Sequence, residues 1–136
     1  MPRKALEALQ IEKLRSMLKQ IYGRNRFYTD KLDAAGIHPE SIKTLEDFKS
    51  LPLTSKAELV QAQSDALPFG SNTTFEESAY SRFHQTSGTS GTPLRVLDTP
   101  ESWDWWGRCW GHVLAGAGLT ENDRLFVPFS FGPFIG

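Results

Sequence analysis

The stretch Arg82-Phe83-His84-Gln85-Thr86-Ser87-Gly88-Thr89-Ser90-Gly91-Thr92-Pro93-Leu94-Arg95-Val96-Leu97 decides how this chain folds. Within it, Thr86 to Pro93 carries five hydroxyl side chains and two glycines, and almost nothing in such a run can build a core. Glycine lets the backbone take positive φ and lets a ligand approach closely, while each Ser or Thr adds a short donor and acceptor. Successive N–H groups in a turn of this kind converge into a concavity that suits an anion such as a phosphate. By composition alone the run reads as a solvated loop. Its flanks say more: Ala79 to Phe83 and Leu94 to Leu97 alternate in the manner of strands, which predicts a loop joining two strands. No Gly is followed by Lys and Ser or Thr at the Walker spacing, and a dinucleotide fingerprint is absent, so any phosphate grip here is of another kind.

Outward from the loop, the composition is that of an ordinary globular chain. A chain of 136 residues can bury about two-thirds of its unfolded surface, enough for a real core. The formal net charge is −1, with 15 basic and 16 acidic residues, which gives no electrostatic case for nucleic acid or an acidic membrane. The single cysteine, Cys109, excludes an intramolecular disulfide and a cysteine-based zinc cluster. Glu7 and Gln10 interrupt the region after the basic start, so no signal-peptide apolar stretch forms, and Val113 to Leu119 is too short to span a bilayer. A cytoplasmic location is expected.

On the N-terminal side, Leu6, Leu9, Leu14, Met17, Leu18, Ile21 and Tyr22 recur at helical spacing, predicting an amphipathic helix over 4–22 that ends at Gly23. A second short helix carries Phe27, Tyr28, Leu32 and Ala35 and stops at Gly36; both are expected to pack on their own domain rather than on a membrane. Thr44 with Asp47, and Ser55 with Glu58, have the capping-box spacing and predict two further helix starts, separated by an extended Leu51-Pro52-Leu53 connector. Capping also accounts for Glu46, Asp47 and Glu58 better than acid–base catalysis does, since no nucleophile is near in sequence. Residues 64–78, rich in Ser, Thr, Asn, Pro and Gly, read as an irregular surface loop.

On the C-terminal side, Thr99, Pro100 and Glu101 announce a helix that Gly118 can end. Trp103, Trp106, Trp110, Val113, Leu114 and Ala117 share one face of it, expected to pack in the core rather than to form a stacking platform. Cys109 and His112 read as incidental, because a metal site needs more ligands. Arg124 to Val127 then reads as a buried strand, giving a strand–helix–strand crossover. The fold class is therefore α/β, or an α+β fragment of it. It is a single domain with a mainly helical part over 1–63, a loop over 64–78, and a hairpin followed by the start of a β–α–β unit over 79–136.

The run from His84 to Pro93 resembles the phosphate-binding loop of adenylate-forming enzymes, the superfamily of acyl-CoA ligases, luciferases and peptide-synthetase adenylation domains. With the Arg82-Phe83-His84 lead-in, it is similar to the phenylacetate-CoA ligase branch. The pattern Tyr28, Lys31, Leu32, Gly36 and the run Leu51 to Leu59 resemble that branch as well. Two residues depart from it: Ser90 stands where Thr is usual, and Thr92 where Lys is usual, which removes a cation that Arg95 could replace.

The resemblance implies the start of the large N-terminal domain of an AMP-forming acid–thiol ligase. Such an enzyme uses ATP, Mg²⁺ and CoA to convert an aryl acid to acyl-AMP and then acyl-CoA. It implies that Thr86, Ser87, Gly88, Thr89, Ser90, Gly91 and Thr92 hold the departing pyrophosphate, and that His84, Phe129, Phe131, Gly132 and Phe134 lie by the acid pocket. Core packing explains these phenylalanines equally well. Family members are much longer, and the adenine and ribose motifs and the catalytic Lys of the family are not among these residues. The chain is accordingly expected to be an N-terminal part, inactive alone, with no catalytic residue and no metal ligand of its own. Two other readings stay open: a stand-alone anion- or nucleotide-binding module without catalysis, and part of an enzyme that adenylates another acid. Uncovered aromatics and unpaired strand edges predict self-association into a homodimer or larger assembly.

Overall fold

A computed structural model describes residues 1–88 and 91–128. They form two compact units, one of residues 1–76 and one beginning at residue 77.

In the first unit, α1 spans Arg3–Ile21 and α2 spans Arg26–Ala34, as the apolar spacing predicts. The turn between them and the end of α2 use Gly23 and Gly36, both at positive φ. Leu18 of α1, Leu32 of α2 and Ile42 form the buried core, with Ile11, Leu14, Ile21, Tyr22, Ile37 and Leu51 packed around it. Leu6, Leu9 and Met17, expected on the same apolar stripe, remain exposed at its edge. Asn25 is buried and joins three segments. Its Oδ1 accepts from the Tyr28 N–H at 3.1 Å and so caps α2, while its Nδ2 donates to Asn72 Oδ1 at 3.0 Å and Thr74 Oγ1 at 3.1 Å. The Phe27 N–H donates to the Ser71 carbonyl at 3.1 Å. Residues 71–74, within the irregular surface loop expected from sequence, are thus pinned to the start of α2.

Of the two expected helix starts, only the second grows into an α-helix. Asp47 Oδ2 accepts from the Lys43 N–H, the Thr44 N–H and the Thr44 hydroxyl, but the helix begun there is a single 3₁₀ turn, Asp47–Ser50. Pro52 is the reason: it holds Leu51 extended, at ψ 135°, and leaves room for no second turn. At α3, Lys56–Asp65, the capping box closes fully, with the Ser55 N–H donating to Glu58 Oε2 at 2.7 Å and the Glu58 N–H to Ser55 Oγ at 3.3 Å. Lys31 of α2 donates to the other oxygen of Glu58, tying α2 to α3. That ammonium first, and then the Ser55 N–H and hydroxyl, hold the Glu58 carboxyl down to about 2.

In the second unit, β1 (Arg82–Gln85) and β2 (Arg95–Asp98) form an antiparallel hairpin pairing Arg82 with Asp98, Phe83 with Leu97, His84 with Val96 and Gln85 with Arg95. The first strand begins at Arg82, later than expected, because Glu77–Ala79 is a 3₁₀ turn and pairing starts only where the Ser81 N–H meets the Asp98 carbonyl at 2.9 Å. Helix α4, Pro100–Gly116, starts as predicted, with Thr99 Oγ1 accepting from the Ser102 N–H at 3.2 Å and Pro100 in the first turn.

Two expectations for this unit are corrected. Residues 124–127 carry no strand; the sheet among the described residues has two strands, and Leu125, Phe126 and Val127 are exposed. A strand that is apolar on both faces needs neighbours on both edges and cover on both faces, and this segment has none of these among the described residues. The tryptophan face of α4 is also not a core face, since α4 has no buried residue and Trp106 and Trp110 are 41% and 48% exposed. A two-stranded hairpin is too small a surface to cover a 17-residue helix.

Candidate functional site

The hairpin sets the geometry of the hydroxyl-rich run. Beyond the last strand pair, the Thr86 N–H donates to the Leu94 carbonyl at 2.9 Å, and the Leu94 N–H donates back to Thr86 Oγ1 at 3.0 Å. Thr86 therefore closes the neck of the loop with both backbone and side chain. One lone pair of its oxygen is engaged there, and its hydroxyl proton remains to be offered to a ligand. Beyond the neck, the Gly91 N–H donates to the Gly88 carbonyl at 2.9 Å. Gly88 has φ +69°, and a Cβ on it would lie 2.8 Å from the Gly91 carbonyl oxygen and 2.8 Å from Pro93 Cγ. No side chain fits, so the backbone itself forms the wall of the turn. Ser87, Gly91 and Thr92 are exposed around it. Thr89 and Ser90, and the pocket candidates Phe129, Phe131, Gly132 and Phe134, lie outside the described residues.

His84, the remaining candidate, sits below the neck on one face of the hairpin. Strand alternation puts Arg82, His84, Val96 and Asp98 on that face. The His84 ring stacks on Trp103 of α4, with centroids 5.1 Å apart and planes 19° from parallel, and the Arg82 guanidinium lies over Trp103 at 5.4 Å. Trp106 stacks on Trp103 at 5.0 Å, and Trp110 meets Trp106 edge-on at 5.9 Å. Trp103, Trp106 and Trp110 thus form a ladder that begins at the histidine. His84 Nε2 is buried and makes no hydrogen bond among the described residues, and Asp98 Oδ2 stands 3.7 Å from it. Asp98 is itself held, its Oδ1 accepting from the Ser102 hydroxyl at 2.9 Å.

Arg82, Asp98 and Trp103 are absent from the site residues that sequence reasoning picked out. Period-two alternation about the loop, applied to both strands, would have put Arg82 and Asp98 beside His84; the contact with Trp103 needs the helix in place. Arg95, the possible stand-in for a lysine at position 92, is opposite Gln85 on the other face. Among the described residues, no group of three or more His, Cys, Asp and Glu could hold a metal ion. No described helix is long and apolar enough to cross a membrane.

No protein-family model matches the chain. It is 34% identical over 131 residues to the phenylacetate-coenzyme A ligase of Escherichia coli K12, covering 96% of this chain and 29% of that protein. The ligase of Thermus thermophilus is 34% identical over 136 residues, 100% of this chain and 29% of its own length. The chain is a relative of the phenylacetate-CoA ligases. A third such ligase, from Pseudomonas putida, is 31% identical over 132 residues. The chain spans 29% of the length of these phenylacetate-CoA ligases. Among solved structures, 2-hydroxyisobutyryl-CoA ligase in complex with 2-HIB-AMP and CoA, in the thioesterification state, matches with TM-score 0.84 and 27% identity over 90% of this chain and 26% of that one. An open conformation of the same ligase matches at 0.81, with 25% identity over 88% of this chain and 27% of that one. The α/β fold is thus that of part of an adenylate-forming CoA ligase, and the resemblance noted around His84 to Pro93 extends along the whole sequence.

Proposed function

We propose that these residues belong to an ATP-dependent aryl-acid CoA ligase, phenylacetate-like in its substrate, which forms acyl-AMP with release of pyrophosphate and then acyl-CoA. The observation that carries this reading is the 34% identity to phenylacetate-CoA ligases across the whole chain. The hairpin gives it a physical basis. In adenylation, the acid's carboxylate attacks the α-phosphate and charge builds on the β-phosphate side. Preorganised N–H and O–H donors aimed there lower the barrier. Thr86, Ser87, Gly88, Thr89, Ser90, Gly91 and Thr92 fill that role in this reading, with Gly88 keeping the backbone open to the phosphate and Mg²⁺ accompanying the nucleotide. His84 borders the acid, with Phe129, Phe131, Gly132 and Phe134 as further lining; the acid needs no base, because a carboxylate is already ionised at neutral pH. Turnover belongs to the full-length enzyme and not to residues 1–136 alone. The enzyme works in the cytoplasm, where ATP and CoA are held. The exposed tryptophans of α4 are the surface through which residues 1–136 on their own self-associate.

A second reading rests on the structural match to 2-hydroxyisobutyryl-CoA ligase: the acid is a short hydroxy acid rather than an aryl acid. Pyrophosphate release by the full-length protein, measured over a panel of aryl and hydroxy acids with ATP, decides between them. Release with phenylacetate-like acids supports the first reading, and release with hydroxy acids alone the second. No release with any acid removes both.

A further inference from the structure

We propose that Asp98 is a positioning residue for His84: it holds the imidazole with Nε2 as the protonated nitrogen and thereby presents Nδ1 as a lone-pair acceptor to whatever occupies the site. The proposal rests on the adenylating reading for its consequence in turnover, but not for its geometry.

His84 Nε2 is buried, lacks a hydrogen bond among the described residues, and has Asp98 Oδ2 3.7 Å away. Asp98 and His84 are diagonal neighbours on the same face of the hairpin, a spacing at which side chains on adjacent strands interact. Both partners are immobilised by other contacts. The ring is stacked on Trp103. The Ser102 hydroxyl lies 2.9 Å from Asp98 Oδ1 and shares its one proton between that oxygen and the Thr99 carbonyl at 3.0 Å, while Oδ2 is the carboxylate oxygen near the histidine. A neutral imidazole carries one N–H, and a carboxylate oxygen can only accept, so the favourable arrangement puts the proton on Nε2. The chain Ser102–Asp98–His84 thus decides which nitrogen of the ring is a donor and which an acceptor. An acceptor at Nδ1 would reject a bare carboxylate and favour a ligand hydroxyl or N–H. That makes His84 a reader of neutral polar groups rather than an anion clamp.

The test uses long-range proton–nitrogen NMR on histidine-labelled protein in alkaline buffer, with the ring neutral. His84→Gln identifies the His84 signals among those of the three histidines. A single tautomer protonated at Nε2 is expected in the wild type. In Asp98→Asn, Ser102 keeps its hold on the side-chain oxygen and the amide NH₂ faces the ring, so the proton is expected to move to Nδ1. In Asp98→Ala, which removes the partner altogether, both tautomers are expected together. The same single tautomer in all three proteins overturns the proposal. In the full-length protein, Asp98→Asn, which turns Nδ1 into a donor that a carboxylate can accept from, is further expected to lower KM for an acid without neutral polar groups, such as phenylacetate, and leave KM for ATP unchanged. A tautomer that moves while the acid's KM stays put overturns the link to the site. A wild type that never consumes ATP sinks the adenylating reading instead, while the tautomer exchange still reports on Asp98.

Discussion

Thr86 and Leu94 exchange two hydrogen bonds of different kinds across the neck of the hairpin: N–H to carbonyl at 2.9 Å in one direction, and N–H to side-chain hydroxyl at 3.0 Å in the other. The hydroxyl stands in for the backbone carbonyl that a regular ladder would supply. This lets the strands part at the position where the glycine-rich turn begins.

Replacing Thr86 should therefore separate two jobs. Thr86→Val keeps the shape but leaves the part-buried Leu94 N–H without its acceptor, at a cost of about 1–3 kcal/mol. Thr86→Ser keeps the acceptor and should stay close to wild type in chemical denaturation. Equal stability of the valine and serine proteins would show that the bond contributes nothing.

Gly88→Ala should damage the tip more than its size suggests. The left-handed backbone alone costs roughly 1–2 kcal/mol for a residue with a Cβ, and that Cβ would meet the Gly91 carbonyl and Pro93. Pyrophosphate release by the full-length protein should fall sharply, while the first unit, which does not contain this turn, keeps its folding. Unimpaired release would mean that the turn is not the phosphate grip.

Asn25→Ala should destabilise the first unit by about 1–3 kcal/mol, because the substitution removes the cap of α2 and the donor to Asn72 and Thr74 together. Asn25→Asp keeps the cap acceptor but removes the N–H donor to Asn72 Oδ1 and Thr74 Oγ1, so it should rescue only part of the loss. Thermal unfolding of the three proteins side by side gives the order, and a fully stable aspartate variant would contradict it.

The Lys31–Glu58 contact predicts an acid-side pH dependence. Glu58 titrates near 2 in the folded chain against an ordinary 4.5, so the unfolded chain binds the proton more readily. The stabilisation is complete above the ordinary value and is lost as pH falls from about 4.5 toward 2. The stability gap between wild type and Glu58→Gln should be constant at neutral pH and shrink across that window. A gap that does not change with pH would rule out Glu58 as its source.

Local chemistry made much of this legible in advance. Ser55 with Glu58 and Thr99 with Pro100 begin helices where their residue types require it, since a cap acts within three residues of chain. The same rule applied to Thr44 and Asp47 stopped short, because Pro52 ends the segment after one 3₁₀ turn. Arg124 to Val127 misled in another way. An apolar run reports an appetite for burial, and whether a strand forms depends on a neighbour that no local pattern names.

The order of residues thus dictated the glycine-rich turn, the strands beside it and the helix starts, since backbone freedom, side-chain alternation and capping are all short-range properties. The placement of His84 against Trp103 and Asp98, the burial of Asn25 among Asn72 and Thr74, and the joining of Lys31 to Glu58 were settled only by the folded chain. Each brings together residues far apart in sequence or on different elements, and such contacts form only where the packing of whole helices and strands brings them within reach.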